Sequence, residues 1–187
     1  MTLLLYPGAG SDSSHSSLVA IERWVAPHRV VRADFPYRKE GRKAPDRAPK
    51  LLAAIREDLM EVPADDPLVM GGRSMGGRMC SMIAAGVDEQ PPPANLAGLV
   101  LISYPLHPPG KPDRLRVEHL SEIRVPTLFV SGTKDTFGTP DELREWAATM
   151  PRTAKVQFLF VDGKGHDLKG ADHTIAGAVV DFLARVL

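Results

Sequence analysis

The chain has 187 residues, 43% of them hydrophobic, and its 23 basic and 23 acidic residues give a formal net charge of zero. This length predicts one domain, residues 1–187, whose core needs neither disulfides nor metal. Because no segment concentrates basic charge, binding to nucleic acid or to an anionic membrane surface is not expected. Cys80 is the single cysteine, which excludes an intrachain disulfide, and no apolar run approaches the ~20 residues that cross a bilayer. The first apolar run, Leu3 to Leu5, lacks the basic segment of a secretory signal, so we expect a cytoplasmic enzyme.

Short apolar runs alternate with helical patterns along the whole chain. The runs predict six strands, at residues 2–6, 29–35, 68–70, 96–103, 126–131 and 155–161. Helical spacing of apolar residues lies between them, as in the segment that contains Leu51, Ile55 and Leu59. This alternation predicts an α/β fold in three layers, with a mainly parallel six-stranded sheet and helices on both faces. Functional residues are then expected in the loops at the carboxyl ends of the strands.

The third strand leads into a serine flanked by glycines, within the segment Gly72-Arg-Ser-Met-Gly76. A strand precedes this segment and a helical pattern follows it, so Ser74 lies on a strand-to-helix turn. Such a turn is tight, and the positions two before and two after the serine must lack bulk. The segment matches the Gly-x-Ser-x-Gly elbow that exposes a nucleophilic hydroxyl, and we predict that Ser74 is a nucleophile.

A serine hydroxyl needs a base to activate it and a third group to orient that base. His166, in the glycine-rich loop after the sixth strand, is the best candidate for the base, although a surface histidine is the alternative. Asp135, in the loop after the fifth strand, is the best candidate for the orienting acid. Asp162 and Asp167 are rival acids, but Asp167 is adjacent to His166 and would tend to point away from it.

Acyl transfer also requires backbone N–H groups at the position where the carbonyl oxygen becomes negative. The N–H of Met75 is one candidate because it follows the nucleophile. The second is expected from the loop after the first strand, where the N–H of Ala9, or alternatively of Gly10, is uncovered by side chains. A structural turn without a donor role is the competing interpretation.

These segments together resemble the α/β-hydrolase superfamily, specifically its small dienelactone-hydrolase-like branch, which includes the testis-expressed-protein type of hydrolase-like domain. The resemblance covers nearly the whole chain and rests on residues 7–10, 71–78, 103–111, 131–135 and 163–167. It implies a Ser74, Asp135 and His166 triad that cleaves an ester, thioester or amide through an acyl-enzyme. The chain departs from the pattern in lacking the usual antiparallel N-terminal hairpin, and dienelactone hydrolases use cysteine where this chain has Ser74.

The connection between the fourth and fifth strands, residues 104–125, is too short for the cap domain that many relatives insert there. This predicts a minimal fold with an open site for a small, accessible acyl substrate. Polar side chains could form its rim, and solvated loop charge is the alternative for them. The candidates for the rim are His15, Tyr104, His107, Lys111, Arg114 and His119.

Two other functions are compatible with parts of the sequence. Gly8, Gly10 and Asp34 partly match a dinucleotide site, but Ser13 occupies the position of the third glycine. A catalytically silent hydrolase-like domain that serves as a binding surface is the second alternative. No cluster has metal-ligand spacing and no cofactor is expected. The sequence makes no prediction about oligomeric state.

Overall fold

One parallel sheet forms the centre of the protein in the computed structural model, which describes residues 1–87 and 89–187. Neighbouring strands lie in the order β2-β1-β3-β4-β5-β6, and each neighbouring pair is parallel. The predicted α/β fold with a six-stranded sheet is therefore confirmed. The strands are β1 (Thr2–Tyr6), β2 (Arg29–Arg32), β3 (Leu68–Arg73), β4 (Leu96–Ile102), β5 (Thr127–Gly132) and β6 (Gln157–Val161).

In residues 1–87 and 89–187, six α-helices connect or follow the strands. They are α1 (Ser16–Trp24), α2 (Pro36–Lys39), α3 (Ala48–Leu59), α4 (Met75–Ala84), α5 (Pro140–Ala147) and α6 (Asp172–Val186). The segment after the second predicted strand is basic and rich in proline, which predicts a loop where α2 lies. This helix begins at Pro36, whose fixed backbone suits a first helical position, and it buries the ring of Tyr37. The described part of the chain also contains two single 3₁₀ turns, Leu120–Glu122 and Arg152–Ala154.

The sheet has a hydrophobic core on each face, as successive residues of β1 illustrate. Leu4 and Tyr6 pack into a cluster with α3, α4 and α5, whereas Leu3 and Leu5 pack into a cluster with α1 and α6. This alternation follows from the period of two in a strand. The prediction of helices on both faces of the sheet is therefore confirmed.

The carboxyl ends of the strands lie along one edge of the sheet, where the functional loops were expected. All residues between β4 and β5 are described, and they form no helix beyond the 3₁₀ turn Leu120–Glu122. No cap domain therefore covers this edge from that connection. Within the two described ranges, no helix is both long and apolar enough to cross a membrane.

Candidate active site

Ser74 lies on a strained turn between β3 and α4. Its φ of 46° and ψ of −116° are unusual for a non-glycine residue. The turn is possible because two neighbours have no side chain. A Cβ atom on Gly72 would lie 2.0 Å from the carbonyl oxygen of Tyr6, and one on Gly76 would lie 2.5 Å from the same oxygen. The two glycines thus allow the elbow and α4 to lie directly against the end of β1.

The structure brings together the three residues that the sequence analysis named as nucleophile, base and acid. Nε2 of His166 lies 2.9 Å from Oγ of Ser74. Nδ1 of the same ring lies 2.9 Å from Oδ2 of Asp135. Because a carboxylate only accepts hydrogen bonds, Nδ1 carries the proton and Nε2 is free to accept from the serine hydroxyl. These contacts form a continuous serine–histidine–aspartate chain.

The carboxylate of Asp135 is buried, with 1% of the residue exposed, and it is fully hydrogen-bonded. The backbone N–H of Phe137 donates to Oδ1 at 2.9 Å, and the hydroxyl of Ser131 donates to Oδ2 at 3.3 Å. The two rival acids are engaged elsewhere. Asp162 accepts from the hydroxyl of Thr133, and Asp167 accepts from a backbone N–H two residues further on. The position of Asp135 therefore suits it best to orient the imidazole.

Two residues that the sequence analysis did not single out also contact His166. The ring of Phe137 stacks on the imidazole, with centroids 3.9 Å apart. The guanidinium of Arg73 donates to the backbone carbonyls of His166 and Asp167, at 3.0 and 3.1 Å. Arg73 precedes the nucleophile in the chain, and only that adjacency could have indicated its role. No local pattern marks Phe137.

A cleft of about 350 Å³ opens beside the Ser74 hydroxyl. The loop after β1 forms one wall, and the hydroxyl of Tyr37 holds this loop by donating to the carbonyl of Ala9 at 2.9 Å. Within the described residues, the N–H groups of Ala9, Gly10 and Met75 donate to no backbone carbonyl. Ala9 and Gly10 line the cleft, and Met75 begins α4 directly after Ser74. The lining residues are Gly8, Ala9, Gly10, Ser11, His15, Arg73, Ser74, Phe137 and His166.

Of the predicted rim residues, His15 lines this cleft. Its Nδ1 accepts a hydrogen bond from the backbone N–H of Ser17 and so caps α1. Burial and the nearby charge of Arg73 lower the pKa of His15 from its usual value. The neutral ring therefore carries its proton on Nε2 and can donate a hydrogen bond.

The prediction that Tyr104, His107 and His119 form the rim is wrong. Tyr104 is 1% exposed, and its hydroxyl lies 3.3 Å from Nε2 of His119 in the protein interior. His107 is also buried, and its Nε2 lies 3.3 Å from a carboxylate oxygen of Glu142. Both side chains point into packed structure because the short β4–β5 connection folds back over the core. Lys111 and Arg114 are exposed and do not line the cleft.

A second serine and histidine are in contact, but they lie inside the protein. Oγ of Ser81 lies 2.7 Å from Nε2 of His119, and Ser81 is fully buried in α4. No carboxylate among the described residues contacts the His119 ring. Burial together with the nearby Arg78 charge lowers the pKa of His119 to about 4, so this histidine is a poor base at neutral pH. The Ser81–His119 contact is therefore structural, and of these two serines Ser74 is the accessible one.

The residues of the partial dinucleotide pattern bind each other. Asp34 accepts hydrogen bonds from the backbone N–H and the hydroxyl of Ser13, both at 2.7 Å. A dinucleotide site needs a free carboxylate at this position to bind the ribose hydroxyl. The carboxylate instead holds the loop before α1. In the part of the chain that the structure describes, no group of three or more His, Cys, Asp or Glu side chains could hold a metal ion.

An open parallel sheet with a serine on a strand-to-helix turn, in contact with a histidine, defines the α/β-hydrolase class. The family profile described as an alpha/beta hydrolase domain matches residues 1–177, and the chain belongs to this family. Membership supports hydrolase activity. The predicted resemblance to the superfamily is confirmed, whereas its assignment to the dienelactone-hydrolase-like branch stays a prediction.

Solved structures of distant sequences share this fold. An alpha-beta serine hydrolase homologue from Coxiella burnetii is 15% identical with a TM-score of 0.78, and the match covers 98% of this chain and 85% of that one. A monoacylglycerol lipase from Paleococcus ferrophilus is 16% identical with a TM-score of 0.77, covering 100% and 95%. Alpha/beta hydrolase domain-containing protein 10 from mouse is 16% identical with a TM-score of 0.72, covering 100% and 90%. At these identities the likeness establishes the fold.

Proposed function

We propose that the protein is a serine hydrolase that cleaves an ester or thioester through an acyl-enzyme. The observation that carries this proposal is the hydrogen-bonded chain from Ser74 through His166 to the buried Asp135. The order of these residues along the chain, serine, aspartate and histidine, is the order that this fold uses. Family membership supports the same reaction class.

The reaction would begin with attack of Ser74 Oγ on the substrate carbonyl while Nε2 of His166 takes the hydroxyl proton. The negative carbonyl oxygen that forms would accept hydrogen bonds from the N–H of Met75 and of Ala9, or of Gly10 in its place. Both N–H groups and the positive end of the α4 dipole favour negative charge there. Collapse of the intermediate breaks the bond to the leaving group, which receives the proton from His166. Water then attacks the acyl-enzyme by the same steps and regenerates Ser74.

The cleft suits a small acyl substrate. Its volume of about 350 Å³ lies at the low end of the range for ligand pockets. No cap from the β4–β5 connection closes over it, so we infer that the acyl group remains partly exposed to solvent. The lipase among the structural neighbours is named for monoacylglycerol. For this chain, short acyl esters and thioesters are the substrates to test first.

A serine-reactive fluorophosphonate tests the nucleophile. We expect it to label the wild-type protein and Ser81→Ala but not Ser74→Ala, because only Ser74 joins an accessible hydroxyl to an oriented base. Ser81→Ala is the matched control, since it removes a buried serine that also contacts a histidine. Equal labelling of Ser74→Ala and wild type would assign the reactivity to another residue. Absence of labelling in wild type would favour a silent interaction domain.

Hydrolysis of a panel of short acyl esters, thioesters and amides then identifies the bond. His166→Ala is expected to lower the rate on the best substrate by about 10³-fold or more, because it removes the base. His28→Ala, which replaces an exposed histidine, is expected to leave the rate unchanged. Equal rates for the two variants would contradict the assignment of His166 as the base.

A further inference from the structure

The nucleophile and the base lie on segments that are 92 residues apart in the chain. Ser74 is fixed by the end of β3, whereas His166 lies in a loop between β6 and α6. Glycines at positions 163 and 165 precede the histidine, and glycine gives a loop more conformational freedom than other residues do. Hydrogen bonds from the N–H of Lys134 to the carbonyl of Lys164 and from the N–H of Gly163 to Thr133 hold the start of this loop to the loop after β5, but they do not involve the main chain at His166.

Arg73 binds the main chain there. Its Nη2 donates to the carbonyl of His166 at 3.0 Å and its Nη1 donates to the carbonyl of Asp167 at 3.1 Å. The planar guanidinium fork presents parallel N–H groups, which lets one side chain bind two consecutive carbonyls. Because Arg73 is bonded covalently to Ser74, this fork ties the backbone of the base directly to the backbone of the nucleophile.

The guanidinium of Arg73 is buried and held by hydrogen bonds within the protein. The residue is 6% exposed, and it forms no ion pair with any described carboxylate. Burial lowers the pKa of the guanidinium from its ordinary value, although arginine remains charged in proteins. A buried cation without an ion pair is costly unless its hydrogen bonds are well placed. The two loop carbonyls supply those hydrogen bonds.

We propose that Arg73 is a positioning residue that sets the distance between Ser74 and His166 by binding the main chain at His166 and Asp167. This inference rests on the proposed function, because the spacing matters only if His166 activates Ser74. Arg73 acts through the loop and exchanges no proton with the substrate. Misplacement of a catalytic group by about 1 Å can cost about 100-fold in rate.

Steady-state kinetics of Arg73→Ala and Arg73→Lys test the proposal. We expect kcat of Arg73→Ala to fall by about 100-fold with little change in KM. Arg73→Lys should give an intermediate kcat, because an ammonium can reach one carbonyl but lacks the fork. Added methylguanidinium should restore part of the activity of Arg73→Ala, which a general loss of stability would not allow. A kcat equal to wild type, a rise confined to KM, or a loss that methylguanidinium does not restore would each overturn the proposal.

Arg56→Ala is the matched control. Arg56 also donates to two consecutive carbonyls, those of Gln90 and Pro91, but on α3 and outside the cleft. Its replacement should leave kcat unchanged.

Hydrogen exchange provides a readout that does not depend on activity. Arg73→Ala should speed amide exchange in residues 162–170, and Arg56→Ala should not. If the wild-type protein does not react with fluorophosphonate but this exchange difference appears, the proposed function is wrong, while the role of Arg73 in holding the loop is supported. If the wild-type protein reacts with fluorophosphonate and Arg73→Ala does not change exchange, only the proposed role of Arg73 is wrong.

Discussion

The ring of Phe137 covers one face of the His166 imidazole, with an angle of 24° between the two planes. The same residue donates its backbone N–H to Asp135, so it contacts the proposed acid and base together. An aromatic pair contributes about 0.5–1.5 kcal/mol beyond burial. Phe137 therefore restrains the ring that must receive the serine proton.

Replacing Phe137 tests this restraint. We expect Phe137→Ala to lower kcat by about 2- to 10-fold, because the imidazole loses its stacking partner while all its hydrogen bonds remain. Phe137→Tyr should retain the wild-type rate, since it keeps an aromatic face. Initial rates at saturating substrate distinguish the two variants. Equal rates for Phe137→Ala and Phe137→Tyr would show that stacking contributes nothing.

The choice of Asp135 over Asp162 as the orienting acid can be tested by two substitutions of the same kind. Asp135→Asn should lower kcat by about 10⁴-fold, because an amide no longer stabilises the tautomer with the proton on Nδ1 or the imidazolium that forms. Asp162→Asn should leave kcat near wild type, since its carboxylate binds Thr133 and does not contact His166. Thermal unfolding of both variants checks that they are folded. A larger loss in Asp162→Asn would reverse the assignment.

Ser74, Asp135 and His166 are predictable because each lies in the loop or turn after a strand, and the glycines around Ser74 mark the nucleophile. In a parallel sheet the carboxyl ends of strands share one edge, so residues far apart in sequence become neighbours once the strand order is known. The loop at Ala9 and Gly10 follows the first strand and is predictable in the same way. These predictions require only that each residue lies at the end of a strand, and runs of apolar residues indicate where the strands end.

Side-chain contacts between segments distant in sequence could not be predicted in this way. The hydrogen bonds of Arg73 to the His166 loop and the stacking of Phe137 on His166 depend on where side chains point. No periodic pattern in the sequence connects these segments. Tyr104 was misplaced for the same reason, because a residue after a strand can turn outward to the cleft or inward to the core. The four-residue helix α2 is too short to show a helical period, so the sequence does not predict it.

The close contact of α4 with β1 predicts that the glycines of the elbow are intolerant of substitution. A Cβ atom on Gly76 would lie 2.5 Å from the carbonyl oxygen of Tyr6 and 2.6 Å from that of Pro7. Gly76→Ala should therefore lower the free energy of unfolding by about 3 kcal/mol or more and abolish fluorophosphonate labelling. Urea denaturation measures the first effect and gel fluorescence the second.

Gly177→Ala serves as the control for the same chemical change. Gly177 lies in α6, and an added Cβ atom would meet only the ring of Trp24, at an ordinary 3.6 Å. Because alanine favours helix over glycine, this variant should gain about 0.5–1 kcal/mol in stability and label normally. A stable, fully labelled Gly76→Ala protein would contradict the tight elbow.

We expect the buried His119 to make the free energy of unfolding fall at acid pH. Its imidazole is buried between Ser81 and Tyr104, and burial together with the charge of Arg78 lowers its pKa from 6.5 to about 4. Below pH 6.5 the unfolded chain therefore binds a proton that the folded protein does not bind. Stability from this group is fully present above pH 6.5 and is lost progressively as the pH falls towards 4. A depression of this size costs about 2 kcal/mol of unfolding free energy between pH 7 and pH 5.

Replacement by glutamine removes the titrating group while keeping a side chain that can bind the Ser81 hydroxyl. We expect His119→Gln to lose about 2 kcal/mol less than wild type when the pH is lowered from 7 to 5. His28→Gln, at an exposed histidine, should show the wild-type loss. Urea denaturation of the three proteins at both pH values gives these differences. If His119→Gln retains the full acid sensitivity, the titrating group lies elsewhere, because the variant no longer contains the buried imidazole.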